Sequence, residues 1–216
     1  MEKDPLVTPV VKWAGGKRQL LPKISKLIPT DFSTYYEPFV GGGAVFFALQ
    51  PKRAVVNDIN AELINVYITI RDHVEELIED LKRHKNEADY FYRIREKDRD
   101  KINYGKMSKV KKASRILFLN KTCYNGLFRV NRQGEFNTPF GRYKKPNITN
   151  EVTLRAVSSY FNKADISFLC GDFVKALRGV KPGDFVCLDP PYDPVSNSAS
   201  FASYSSEGFG RDEQIK

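Results

Sequence analysis

The feature that most constrains the fold is one short run, Asp184-Phe185-Val186-Cys187-Leu188, which ends in Asp189-Pro190-Pro191-Tyr192. An uninterrupted apolar stretch of this kind is the mark of a strand covered on both faces. Such strands belong to parallel sheets layered with helices. The two prolines fix where the strand stops, because neither can donate to a ladder. A strand of this type calls for the rest of an α/β sheet upstream.

The upstream sequence supplies one. Tyr35-Tyr36-Glu37-Pro38-Phe39-Val40 is aromatic and β-branched and runs straight into Gly41-Gly42-Gly43. Residues 44–49 read as a short helix, with Pro51 as a stop. Ala54-Val55-Val56-Asn57-Asp58 is a short buried strand ending in an acid. From Ala61 to about Arg83, apolar residues at Leu63, Val66, Tyr67, Ile70, Val74, Leu77, Ile78 and Leu81 recur at helical spacing. Strand, glycine loop, helix and strand in that order form half of a doubly wound sheet. A helical segment over 150–161 precedes Ile166-Ser167-Phe168-Leu169-Cys170, then Gly171-Asp172-Phe173, a short helix and the apolar run. The predicted fold is α/β, a Rossmann-like doubly wound sheet.

Between these halves the character changes. Residues 84–120 are charged and helical, with Arg115-Ile116-Leu117-Phe118-Leu119 as an apolar stripe. Residues 121–146 mix Gly, Asn, Pro, aromatics and bases, the composition of a β-ribbon or an extended loop. Here Lys121, Arg129, Arg132, Arg142, Lys144 and Lys145 face only Glu135, a net +5 of the chain's +9. A solvated loop can be this basic, but aromatic, amide and basic side chains together are what a base-reading surface requires. The stretch reads as an insertion in one sheet. Residues 1–60 and 149–216 are then the catalytic part and 61–148 a mainly helical recognition lobe. The overall charge points to a polyanion, either nucleic acid or an acidic membrane face, or to a generally basic surface.

Other classes are disfavoured. No apolar run approaches the roughly 18 residues of a membrane helix, and Met1-Glu2-Lys3-Asp4-Pro5 does not open a signal peptide. A cytoplasmic protein without a membrane partner is expected. Cys123, Cys170 and Cys187 form neither a CxxC pair nor an even disulfide set, which fits a reduced compartment. With only His73 and His84 available, zinc chemistry and a His-based triad are improbable and no metal is expected.

Three motifs carry chemistry. Asp189-Pro190-Pro191-Tyr192 sits at the carboxyl end of a strand, where ligands bind in open α/β sheets. The carboxylate of Asp189 and the carbonyl of Pro190, held by Pro191, form an acceptor pair for a planar amino group. Tyr192 offers a face on which the ring bearing that group can stack. A proline turn closing a strand is the plain alternative, and the upstream glycine loop argues against it. In the second motif, Gly41 and Gly43 let a ligand approach the backbone, and Asp58 can accept ribose hydroxyls. Without GxGxxG, the loop suits a cofactor with a carboxylate and a sulfonium better than a pyrophosphate. The third, Lys12-Trp13-Ala14-Gly15-Gly16-Lys17, lacks the glycine and the Ser or Thr of a P-loop. It offers an aromatic wall and a cation for a carboxylate, or simply a core tryptophan and a surface lysine.

Together FVGGG, KWAGGK, DPPY and YNGLFRVN…GEFNTPFGRYKKP resemble the Dam family of DNA adenine methyltransferases, which includes modification enzymes of restriction systems protecting GATC. The resemblance implies transfer of a methyl group from S-adenosylmethionine to adenine N6 in double-stranded DNA, with a cognate restriction endonuclease only as a companion at system level. It implies cofactor contacts at Trp13, Lys17, Asp58 and Asp189, and we add Pro38, Phe39, Gly41, Gly43 and Asp172. It places Tyr124, Asn125 and Arg129 on the DNA-reading ribbon, to which we add Lys12, Lys121, Leu127, Asn137, Pro139, Arg142 and Lys144. Family members continue with further strands, so the resemblance also implies that the catalytic part here lacks its C-terminal portion. Rival readings are methylation of a cytosine or RNA amino group, or a DNA-binding form without activity.

Overall fold

A computed structural model describes residues 2–13, 15 and 19–191. Tyr192, Lys17 and all that follows Pro191 lie outside the described residues. In chain order the elements are α1 (Leu21–Ile24), β1 (Tyr35–Glu37), α2 (Ala44–Leu49), β2 (Arg53–Asp58), α3 (Ala61–Asp72), α4 (Val74–Lys82), α5 (Ala88–Arg95), α6 (Lys101–Lys106), α7 (Lys109–Thr122), α8 (Glu151–Lys163), β3 (Asp165–Cys170), α9 (Phe173–Leu177) and β4 (Phe185–Val186).

The four strands form one parallel sheet in the order β3-β2-β1-β4. From β1 the chain steps to β2 and then to β3 on the same side, and returns to place β4 on the other side of β1. The reversal lies between β1 and β4, so the crevice at their carboxyl ends is where an α/β sheet of this kind binds ligands. Several helices start at the caps their sequences offer. Asn60 accepts the Leu63 N–H at 3.0 Å, Asp100 the Asn103 N–H at 3.0 Å, and Asp172 the Val174 N–H at 2.8 Å.

α3 and α8 pack together on the sheet, and α2 meets them through an aromatic cluster. Phe161 lies at its centre, 4.9 Å from Phe168 and 6.0 Å from both Phe46 and Phe47. The Phe168 contact is edge-on and the other two are stacked, and aromatic pairs of both kinds add to the area they bury. α3 also packs on α7, so the expected boundary at residue 61 opens a helix that touches both the sheet and the lobe. α7 is the lobe's core helix, with residues 113–120 all buried. His84 is enclosed with it, stacked 4.3 Å from Phe118 and bonded to Ser114 and Tyr90 at 3.0 Å. Burial holds its imidazole down at about 4, a packing rather than a catalytic histidine.

Two expectations need correction. The helix read over 61–83 breaks at His73, whose φ of −142° is not helical, and α4 restarts where the Leu77 N–H donates to the His73 carbonyl. The apolar spacing continues across the break, which is why the sequence does not show it. The stretch read as a β-ribbon or an extended loop folds back on itself through two antiparallel bridges, Cys123 with Phe140 and Val130 with Phe136. The run at 184–188 yields only β4. Among the described residues β4 is an edge strand, half-buried rather than covered, and Leu188 is 58% exposed.

Candidate functional site

At the crevice β4 continues past its ladder, where the Cys187 N–H donates to the Tyr36 carbonyl at 2.8 Å. This carries Asp189 to the carboxyl end of β1, where its charge acts on Glu37. Glu37 is buried and accepts the Tyr35 hydroxyl at 2.8 Å. Burial pushes its carboxyl up to about 8 and the charge of Asp189 adds to this, while hydrogen bonds from Tyr35 and the Phe46 N–H act the other way. A protonated acid therefore lies beside Asp189 near neutrality. In the sequence Glu37 stands inside the aromatic, β-branched run that leads into the glycines. An acid flanked by apolar residues on an inner strand was the available signal.

The loop after β1 is shaped by its own protein. Gly41 and Gly43 have φ of 46° and 68°, a region that side-chain-bearing residues rarely occupy. A Cβ on Gly41 would fall 2.9 Å from Trp13 Cδ1, and one on Gly43 2.9 Å from Phe47 Cε2. The space that glycine provides here is taken by those rings. The Tyr67 hydroxyl donates to the Gly41 carbonyl at 2.6 Å, and the Gly41 N–H donates to Asp58 Oδ2 at 3.0 Å. Asp58 Oδ1 accepts the Asn60 N–H at 2.9 Å. Burial raises the Asp58 carboxyl, and these two donors oppose the rise.

Asn57, 2% exposed, ties the strand ends together. Its Nδ2 donates to the Pro38 carbonyl at 3.0 Å and the Gly171 carbonyl at 2.9 Å, while its own carbonyl accepts the Val40 N–H at 2.9 Å. One buried amide thus sets the loops after β1 and β3 against the end of β2. One Asn in a short strand carries no distinctive pattern in the sequence, so its role shows only in the fold. Pro38 is buried and contributes this carbonyl, and Phe39 meets Phe173 at 5.2 Å. Asp172, exposed, caps α9. The crevice side of the sheet therefore carries the carboxylates of Asp58, Asp172 and Asp189 and the rings of Phe39 and Phe173. Trp13 joins it from the N-terminal segment and stacks on Phe128 at 4.5 Å and 20°.

The basic stretch alternates like a strand. Gly126, Phe128 and Val130 are buried while Leu127 and Arg129 turn outward; across from them Phe136 and Thr138 are buried while Asn137 and Pro139 turn outward. Alternation of this kind puts Leu127, Arg129, Asn137 and Pro139 on one outer face. Arg129 Nε donates to Asn137 Oδ1 at 2.8 Å, which orients the guanidinium. Tyr124 and Asn125 are exposed at the turn that precedes it, Asn125 with φ 55°. Lys12 is exposed nearby, with its stem against Gly126. Lys121 is half-buried on α7, and Arg142 and Lys144 are exposed beyond the last bridge, off the alternating face. Among the described residues no group of His, Cys, Asp and Glu gathers as a metal site, and no helix is long and apolar enough to cross a membrane.

Known proteins resemble the chain closely. Residues 13–216 match the family described as D12 class N6 adenine-specific DNA methyltransferase. Type II methyltransferase M1.LlaDCHI of Lactococcus lactis subsp. cremoris is 46% identical over 210 residues, covering 96% of this chain and 74% of that protein. Type II methyltransferase M.MjaIII of Methanocaldococcus jannaschii is 40% identical over 228 residues, with 97% and 78% covered. The DNA adenine methylase of Escherichia coli strain K12 is 34% identical over 212 residues, with 94% and 72% covered.

Proposed function

The chain belongs to the D12 class of N6 adenine-specific DNA methyltransferases, and from that premise we propose that it methylates adenine within GATC in duplex DNA, with S-adenosylmethionine as donor and Asp189-Pro190-Pro191-Tyr192 as its catalytic motif. The observation that carries this reading is the place of Asp189. It follows β4 at the reversal of the sheet, where its charge acts on Glu37 at the end of β1.

The residues around the crevice fit the donor's chemistry. Asp58 provides a carboxylate for a ribose diol, Phe39 and Phe173 provide apolar faces for a planar base, and Trp13 borders the glycine loop. When bound, S-adenosylmethionine supplies a methyl group already activated on its sulfonium. The protein's part is alignment and polarisation. The target adenine is turned out of the duplex to reach the crevice. Its amino group donates to the Asp189 carboxylate and the Pro190 carbonyl, which draws the nitrogen toward tetrahedral geometry and localises its lone pair. Leu127, Arg129, Asn137 and Pro139 read the flanking bases with Tyr124 and Asn125, while Lys12, Lys121, Arg142 and Lys144 engage the same duplex from its margins.

Transfer of labelled methyl groups to duplexes differing only at GATC tests this. Incorporation confined to GATC, recovered as N6-methyladenine, is expected. Asp189→Ala should lower turnover at least a hundredfold and leave duplex affinity nearly unchanged, because affinity comes mainly from phosphate contacts. More than a tenth of wild-type turnover in that variant would remove Asp189 from the catalytic role. Equal incorporation in all duplexes would remove GATC.

A further inference from the structure

Two segments with different tasks in this reading meet at one side chain that the reading leaves unused. Asn120 lies in the last turn of α7 and is 1% exposed. Its Oδ1 accepts the Lys12 N–H at 2.8 Å. Its Nδ2 donates to the Lys12 carbonyl at 2.8 Å and to the Gly126 carbonyl at 3.0 Å. Both amide hydrogens and one oxygen lone pair are thus engaged. The side chain pairs with the backbone of Lys12 as a neighbouring strand would, and reaches across to the turn that begins the ribbon.

Two further contacts run beside it. Gly126 lies so close to Lys12 that a Cβ there would fall 2.5 Å from the lysine Cδ, and its φ of 64° also excludes most side chains. Trp13 stacks on Phe128 while its other edge lies against Gly41. Residues 12 and 13 therefore cannot shift against residues 126 to 128 without leaving buried polar groups unmade, which a buried site resists. On one side of the junction stands the glycine loop of the cofactor crevice, and on the other the face that meets DNA.

We propose that Asn120 is a positioning residue that couples the two sites, so that cofactor and duplex strengthen each other's binding through the Lys12–Gly126 junction. The proposal rests on the function proposed above. Each ligand favours the joined arrangement of the same element, so whichever binds first leaves less for the second to order. A purely structural asparagine would change stability without changing the dependence of one affinity on the other ligand.

Reciprocal titrations of the full chain test the coupling. Sinefungin, an unreactive analogue of the donor, is titrated with and without a saturating duplex that the wild-type protein methylates, and the duplex with and without saturating sinefungin. Linkage requires the same factor in both directions, and about tenfold is expected for the wild type. Asn120→Ala should bring the factor within about twofold of one, with each ligand's affinity alone falling no more than about threefold. Phe128→Leu keeps an apolar side chain but removes the stack on Trp13, and should lower the factor about threefold. It decides the matter if circular dichroism shows Asn120→Ala unfolded. A wild-type factor of one overturns the coupling, as does a wild-type factor retained in the folded Asn120→Ala protein or, failing that, in Phe128→Leu. Wild-type protein that binds no sinefungin and methylates no duplex would instead bring down the functional reading, and this proposal with it.

Discussion

A buried carboxyl group beside another carboxylate keeps its proton to a pH at which a free glutamate has lost it, and Glu37 is such a group. Its folded value of about 8 lies above the ordinary 4.5. Between the two the native state holds a proton that the unfolded chain has released, so stability falls as pH rises through this window and levels off above it. Glu37→Gln can still accept the Tyr35 hydroxyl but cannot ionise. The loss of stability between pH 5 and pH 8.5, on the order of a few kcal/mol in the wild type, should shrink in the variant. Thermal melts at the two pH values measure it, and equal losses in both proteins would show that Glu37 titrates like an exposed acid. In the proposed mechanism a neutral Glu37 keeps a second negative charge away from Asp189.

At the scale of elements, the proposed function divides the ribbon between base reading and phosphate holding. Arg129, oriented by Asn137 on the outer face, is placed to discriminate bases. Arg129→Ala should cost about 1–3 kcal/mol of preference between the cognate duplex and one altered at a single base pair. Lys144, exposed beyond the last bridge, is placed for a phosphate. Lys144→Ala should weaken all duplexes alike and lower the slope of log affinity against log salt by about one. Fluorescence anisotropy on both duplexes across a salt series checks the two together. Unchanged binding and preference in both variants would mean a solvated loop. The same scale shows where a period misleads. Ile70, Val74 and Leu77 keep helical spacing across His73, because α3 and α4 both face α7.

At the scale of the molecule, the lobe is held to the ribbon by a buried ion pair. Arg115, 2% exposed, meets Asp98 at 2.8 Å and donates to the carbonyls of Ile94 and Arg95, while Asp98 also accepts the Phe136 N–H at 2.8 Å. Removing Arg115 leaves Asp98 with Arg99, at 2.9 Å, as its remaining cation, and leaves the buried carbonyls of Ile94 and Arg95 without their donor. Arg115→Ala should therefore cost about 2–3 kcal/mol, seen as a fall in melting temperature of roughly 5–10 °C for a chain of this size. A variant melting with the wild type would show that the pair contributes nothing.

The sequence by itself determined the elements whose signals are local. Apolar runs against glycine and proline placed β2 and β3 to within a residue and located β1 and β4, whose ends they overran. The glycines at 41–43 and Asp189 follow β1 and β4, and charge composition singled out residues 121–146. Tertiary structure alone decided what depends on residues distant in the chain. The space beside Gly41 and Gly43 belongs to Trp13 and Phe47. Asn57 and Asn120 matter because each lone amide faces backbone groups far away in sequence. The protonated state of Glu37 depends on burial and on Asp189, 152 positions further along. Hydrogen bonds and desolvation act over a few ångströms in space, and no periodicity in a single chain records which segments will come that close.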